Sequence, residues 1–97
     1  MINYMKRCYQ KKTSTISRTV ADEVILVPIQ SNTASLEKVY IIKGTGRRIW
    51  ELIDGRKSVE KIRRQIVREF KVTPQEAEED LVSFLRELEK KSHIEVI

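Results

Sequence analysis

Few residues of this chain are of types that do chemistry, and their spacing keeps them apart. There is one cysteine, Cys8, and one histidine, His93. Two such ligands fall short of the four of a structural zinc site and the three of a catalytic one. A single thiol also excludes an intramolecular disulfide. Glu78, Glu79 and Asp80 gather three carboxylates in sequence, but consecutive helix positions point in different directions. They read as a solvated face rather than an acid–base pair. Gly44-Thr45-Gly46 lacks the third glycine of a dinucleotide-binding loop and reads as a strand-to-helix turn. What remains is recognition rather than catalysis, with no metal and no cofactor expected.

The charge is unevenly placed. The net charge is +5, and residues 1–21 hold five basic residues and no acid. Residues 43–71 carry ten basic and four acidic residues, whereas 73–91 carry three basic and six acidic. A length of 97 residues fits one domain. Residues 1–14 show no sustained period and read as a basic, flexible tail, which leaves 15–97 as the folded part. No apolar run approaches the roughly 20 residues that span a bilayer, and no apolar block follows Lys6-Arg7 as in a secretory signal. A cytoplasmic protein without a membrane partner is expected.

The elements that position any site divide cleanly. Thr15–Ala21 is rich in β-branched residues, Asp22-Glu23 can turn the chain, and Val24–Val27 is a continuous apolar run ended by Pro28. Lys38–Lys43 is the clearest strand, apolar or aromatic inside with a lysine at each end. Short connections predict an antiparallel meander. Ile49-Trp50-Glu51-Leu52-Ile53 then reads as a helix stopped at Asp54-Gly55, with Thr45 as its cap. A second helix is capped by Ser58 and buries Val59, Ile62, Ile66, Val67 and Phe70. A third starts at Thr73-Pro74-Gln75-Glu76, with a capping Thr and Pro in the first position. Its apolar set is Ala77, Leu81, Phe84, Leu85 and Leu88. Ile94, Val96 and Ile97 form a small terminal strand or an extended tail. The fold class is α+β: three antiparallel strands followed by three helices, winged-helix-like, with Trp50, Leu52, Ile53, Ile62, Ile66, Phe70 and Phe84 in the core.

Such content admits two recognition modes. A helix-turn-helix regulator would place the third helix in the major groove, but that helix opens with Glu76, Glu78, Glu79 and Asp80. The sign is wrong for phosphates, which dominate nucleic-acid affinity. The other mode is strand addition. If Lys38–Lys43 lies at the sheet edge, its unpaired backbone groups would accept an extended peptide, with Leu81, Val82 and Leu85 of the third helix as the opposite wall. The same edge invites self-pairing, so both a monomer and a strand-swapped dimer are open.

The order Val39-Tyr40-Ile41-Ile42, Gly46, Ile49-Trp50-Glu51-Leu52-Ile53-Asp54-Gly55, Ser58-Val59-Glu60-Lys61-Ile62, Phe70, Asp80-Leu81-Val82 and Phe84-Leu85-Arg86-Glu87-Leu88 resembles PqqD-like proteins over about residues 17–96. Arg18-Thr19-Val20 and Ile25–Ile29 also fit. The resemblance implies a non-catalytic peptide chaperone, the recognition element for ribosomally made and later modified peptides. Such proteins bind the leader segment of a precursor and present it to a modifying enzyme, often of the radical S-adenosylmethionine type. The leader would lie along the third strand against the third helix. Carried onto this chain, the peptide-binding residues are Lys38, Val39, Tyr40, Ile41 and Ile42, with Glu78, Leu81, Val82, Leu85 and Glu89 opposite. No specific nucleic acid is expected as partner; a duplex-binding regulator is the alternative.

Overall fold

The computed structural model describes residues 3–29 and 39–97. In chain order these hold a 3-10 turn over Tyr4–Lys6, strands β1 (Tyr9–Lys11), β2 (Thr15–Val20), β3 (Glu23–Pro28) and β4 (Tyr40–Ile42), helices α1 (Thr45–Leu52), α2 (Val59–Phe70) and α3 (Pro74–Lys90), and strand β5 (Ile94–Val96). β2 and β3 form a hairpin in which Val20 pairs with Glu23, leaving Ala21 and Asp22 as the loop. Ala21 has φ of 54°, the positive sign that tight turns matching strand twist require. Pro28, which has no N–H, sits at the end of the ladder opposite Thr15. β4 pairs with the other side of β3 through Leu26↔Tyr40, Ile25↔Ile41 and Val24↔Ile42. The sheet order β2-β3-β4 is the meander expected. β4 is shorter than the expected strand: Val39 lies just outside it, and Lys38 is outside the described residues.

Alternation along the strands decides what each face does. Val24, Leu26 and Ile42 are buried on one face and join the helices in the core, while Ile16, Val20 and Ile41 are exposed on the other. The helices start as the sequence indicates at two of three caps. Ser58 Oγ accepts from Lys61 N–H at 3.2 Å, and Thr73 Oγ1 from Glu76 N–H at 3.1 Å. At α1 the expectation fails: Thr45 is already helical, and the cap is Gly44, with φ of 56° and ψ of −131°. A side chain resists that backbone geometry, which is why glycine stands there.

Trp50, Leu52, Ile53, Ile62 and Ile66 are core residues, as expected. Phe70 is not. It is the last residue of α2 and remains 41% exposed, because the helix overhangs the core there. Phe84 is half-buried at the core's edge rather than in its centre.

The expected tail over residues 1–14 is corrected for Tyr4–Lys11. β1 pairs antiparallel with β5, Tyr9 opposite Val96 and Lys11 opposite Ile94. Tyr9 is 1% exposed. Its hydroxyl lies 3.1 Å from Glu89 Oε1 and 3.2 Å from the Tyr4 hydroxyl, so it can donate its one proton to the carboxylate and accept from Tyr4. Val59 N–H reaches Arg7 O at 2.8 Å and Gly55 N–H reaches Tyr9 O at 3.0 Å. Lys11 Nζ sits 4.8 Å from the Trp50 ring centroid, and burial lowers its pKa. Burying one aromatic ring and completing a ladder with the far end of the chain offsets the entropy of ordering this segment.

Candidate functional site: an open strand edge beside α3

β3 flanks β4 on one side, and among the described residues no strand flanks it on the other. In an antiparallel ladder alternate residues turn both N–H and C=O toward the same neighbour, so an edge strand leaves half its groups facing away from the sheet. A cleft of about 360 Å³ adjoins β4. Tyr40, Ile41 and Ile42 line it from the strand, Lys43 from just beyond its end, Thr45, Gly46 and Ile49 from α1, and Asp80 and Phe84 from α3. A methyl built on Gly46 would stand 2.9 Å from Ile42 Cγ2 and 3.3 Å from two Phe84 ring carbons. Glycine therefore lets strand, first helix and third helix meet at one point.

The Tyr40 end of the cleft is polar. Lys91 Nζ lies 5.5 Å from the Tyr40 ring centroid, and Glu87 pairs with Lys91 at 3.5 Å. Burial, then the Glu87 charge, holds the Tyr40 phenol above its ordinary pKa. Behind it stands His93, 3% exposed, with ring centroid 6.1 Å from that of Tyr40 and Nδ1 3.0 Å from Thr15 Oγ1. Burial, then the Lys91 charge, pushes its pKa below the ordinary imidazole value. His93 is a packing residue: its N–H bonds Leu88 O at 2.9 Å and its carbonyl accepts from Lys12 at 3.0 Å. It ties the end of α3 and the β1–β5 ladder to the start of β2.

The structure brings only part of the sequence-derived site together. Tyr40, Ile41 and Ile42 line the cleft, with Ile42 itself buried and Ile41 52% exposed on the far face of the sheet. Leu81 and Leu85 are each 0% exposed, so they are core and present no wall. Glu78, Val82 and Glu89 lie on the flank of α3 turned away from this cleft. Glu78 meets Arg63 of α2 at 2.8 Å, and Glu89 lies against Tyr9. At 100° per residue, Glu78, Val82 and Glu89 lie about 60–100° to one side of Leu81, whereas Phe84, Asp80 and Glu87 lie about 60–120° to the other. The cleft is also lined by Asp80, Phe84, Gly46 and Ile49, which the sequence did not single out for it. The i, i+4 pair Asp80 and Phe84 was visible in sequence, but so was its mirror image across the stripe. A second cleft, about 560 Å³, runs along Glu78, Val82 and Arg86 on the outer flank of α3. Among the described residues its lining comes from α3 alone and includes no strand, so these residues offer no ladder to an extended chain.

The arrangement defines a class: small winged-helix-like α+β domains whose sheet, among the described residues, ends at a strand beside the last helix. A model of the family described as Coenzyme PQQ synthesis protein D (PqqD) matches residues 23–94, and the chain belongs to that family. Among solved structures, the chain is similar to one described as TbiB1 in complex with the TbiA(beta) leader peptide. The TM-score is 0.75 at 31% identity, covering 89% of this chain and 94% of that chain. No curated protein sequence matches.

Proposed function

We propose that this protein binds the leader segment of a ribosomally made precursor peptide as an added strand on β4 and presents the rest of the precursor to a modifying enzyme. The observation that carries the reading is the edge of β4, unpaired among the described residues, facing Phe84 and Asp80 across one cleft. Main-chain groups of β4 give affinity without regard to sequence, and the apolar lining from Ile49 and Phe84 gives specificity. The family and the likeness to a chain described in complex with a leader peptide support it. Binding at micromolar Kd or tighter is expected, about −8 kcal/mol or beyond.

Duplex binding finds no support in the electrostatics. The first turns of α3 carry Glu76, Glu78, Glu79 and Asp80, which would face phosphates in a helix-turn-helix docking.

The test uses the full chain and a random twelve-residue peptide library displayed on its own coding nucleic acid. Selected peptides are synthesised, and amide hydrogen exchange is read with and without them. Slowed exchange at Tyr40–Ile42 in the complex is expected. Tight binding with exchange at β4 unchanged would move the site elsewhere.

A further inference from the structure

Every acid of α3 but one has a partner. Glu76 accepts from the Thr73 hydroxyl at 3.0 Å, Glu78 meets Arg63 at 2.8 Å, and Glu79 accepts from Gln75 at 3.3 Å. Glu87 pairs with Lys91 at 3.5 Å, and Glu89 lies 3.1 Å from the Tyr9 hydroxyl. Asp80 has no ion pair and no side-chain hydrogen bond among the described residues, and it is the α3 acid that lines the cleft. The cation in that lining, Lys43, is committed 3.1 Å from Glu23. The nearby Arg47 is shared between Asp22 at 3.5 Å and Glu51 at 3.4 Å. A solvent-exposed carboxylate without a partner among the described residues thus lines a cleft whose apolar wall includes Ile42, Ile49 and Phe84.

The spacing says what would complete it. Asp80 and Phe84 are one helical turn apart, about 6 Å along the axis. Alternate residues on one face of a strand are about 6.8 Å apart. A strand added to β4 that sets one side chain on Phe84 therefore brings the side chain two residues away opposite Asp80. We infer that Asp80 selects peptides in which a Lys or Arg stands two residues from an apolar anchor. This rests on the strand-addition reading and names the class of segment it accepts. Arg would have the advantage of a bidentate fork.

The experiment selects the same random library on the wild-type full chain, on Asp80→Asn and on Asp80→Lys, with circular dichroism confirming each fold. Wild-type selection is expected to enrich Lys or Arg two residues from an aliphatic or aromatic residue. Asp80→Asn is expected to keep the apolar anchor and lose the cation, and to bind a wild-type-selected peptide about tenfold more weakly, with a flatter salt dependence. Asp80→Lys is expected to enrich Asp or Glu at that place. Peptides with an anchor but no cation at this spacing, or a cation preference that persists in Asp80→Asn, would overturn the role of Asp80 alone. If the wild type selects nothing, or its peptides still bind Ile41→Pro undiminished, strand addition fails and this inference with it.

Discussion

Gly46 and Phe84 are fitted to each other: the missing β-carbon of Gly46 would stand 3.3 Å from two carbons of the Phe84 ring. Gly46→Ala gains up to about 1 kcal/mol of helix propensity, but its methyl would stand 2.9 Å from Ile42 Cγ2 and press on the Phe84 ring, so the buried Ile42 or the ring must shift. Overpacking is expected to offset that gain or lower the melting temperature, while peptide affinity falls several-fold. Gly46→Val, with a branched side chain in the same space, should cost about 1–3 kcal/mol by overpacking. Melting curves and fluorescence polarisation with a selected peptide separate the two effects.

The two flanks of α3 make opposite predictions. Phe84→Ala removes an apolar wall of the cleft beside β4, and affinity is expected to drop at least tenfold. Val82→Ala and Glu78→Gln alter the outer flank and should leave affinity within about twofold, since neither side chain adjoins the strand edge. The reverse ranking would put the peptide on the other side of the helix.

Ile41→Pro deletes a backbone donor at the middle of β4 and fixes φ there. The helical signal in circular dichroism should survive, because the helices draw their stability from the core rather than from the sheet edge. Peptide binding should be lost. A folded variant with full affinity excludes strand addition.

Tyr9 measures whether the first residues belong to the fold. Tyr9→Phe removes a hydrogen bond to the Glu89 carboxylate, about 1 kcal/mol, a melting-point drop of about 4–8 °C for a domain this size. Tyr9→Ala should cost about 3–5 kcal/mol. A tail without packing would show no change in either.

His93 sets a pH dependence with a definite sign. Its folded pKa lies below the ordinary imidazole value, so the unfolded chain takes up a proton first as the solution is acidified. The contribution is complete above about pH 6.5, where the unfolded imidazole is neutral, and is lost as pH falls toward the depressed folded pKa. Melting temperature should fall on going from pH 7.5 to pH 5. His93→Gln should show a shallower slope across that window, and an unchanged slope would assign the effect to other groups.

The local parts of this fold were legible in the sequence because local rules decide them. Ser58 and Thr73 cap helices wherever a chain puts them before an apolar stripe, and Val24–Val27 with its Pro28 could only be a strand ending in a proline. The pairing of β1 with β5 was not legible. Three residues carry no period, and the partner of Tyr9 is Val96, which only the finished fold brings near. The rotation of α3 was half legible. Ala77, Leu81, Leu85 and Leu88 fix the buried line, but acids stand on both sides of it. Whether Val82 or Phe84 meets β4 depends on which way α3 packs against the sheet. The same ambiguity misplaced Leu81 and Leu85 as walls, since a residue at the centre of the stripe has no surface left to offer.

The contact between Lys11 and the ring of Trp50 gives the protein a built-in optical reporter. Trp50 is the one tryptophan in the chain and is shielded from solvent, with the β1 ammonium over its face. Peeling β1 away would uncover the indole and shift its emission to longer wavelength while the circular dichroism of the helices still holds. Detachment of the first strand can thus be timed separately from global unfolding, with no label attached.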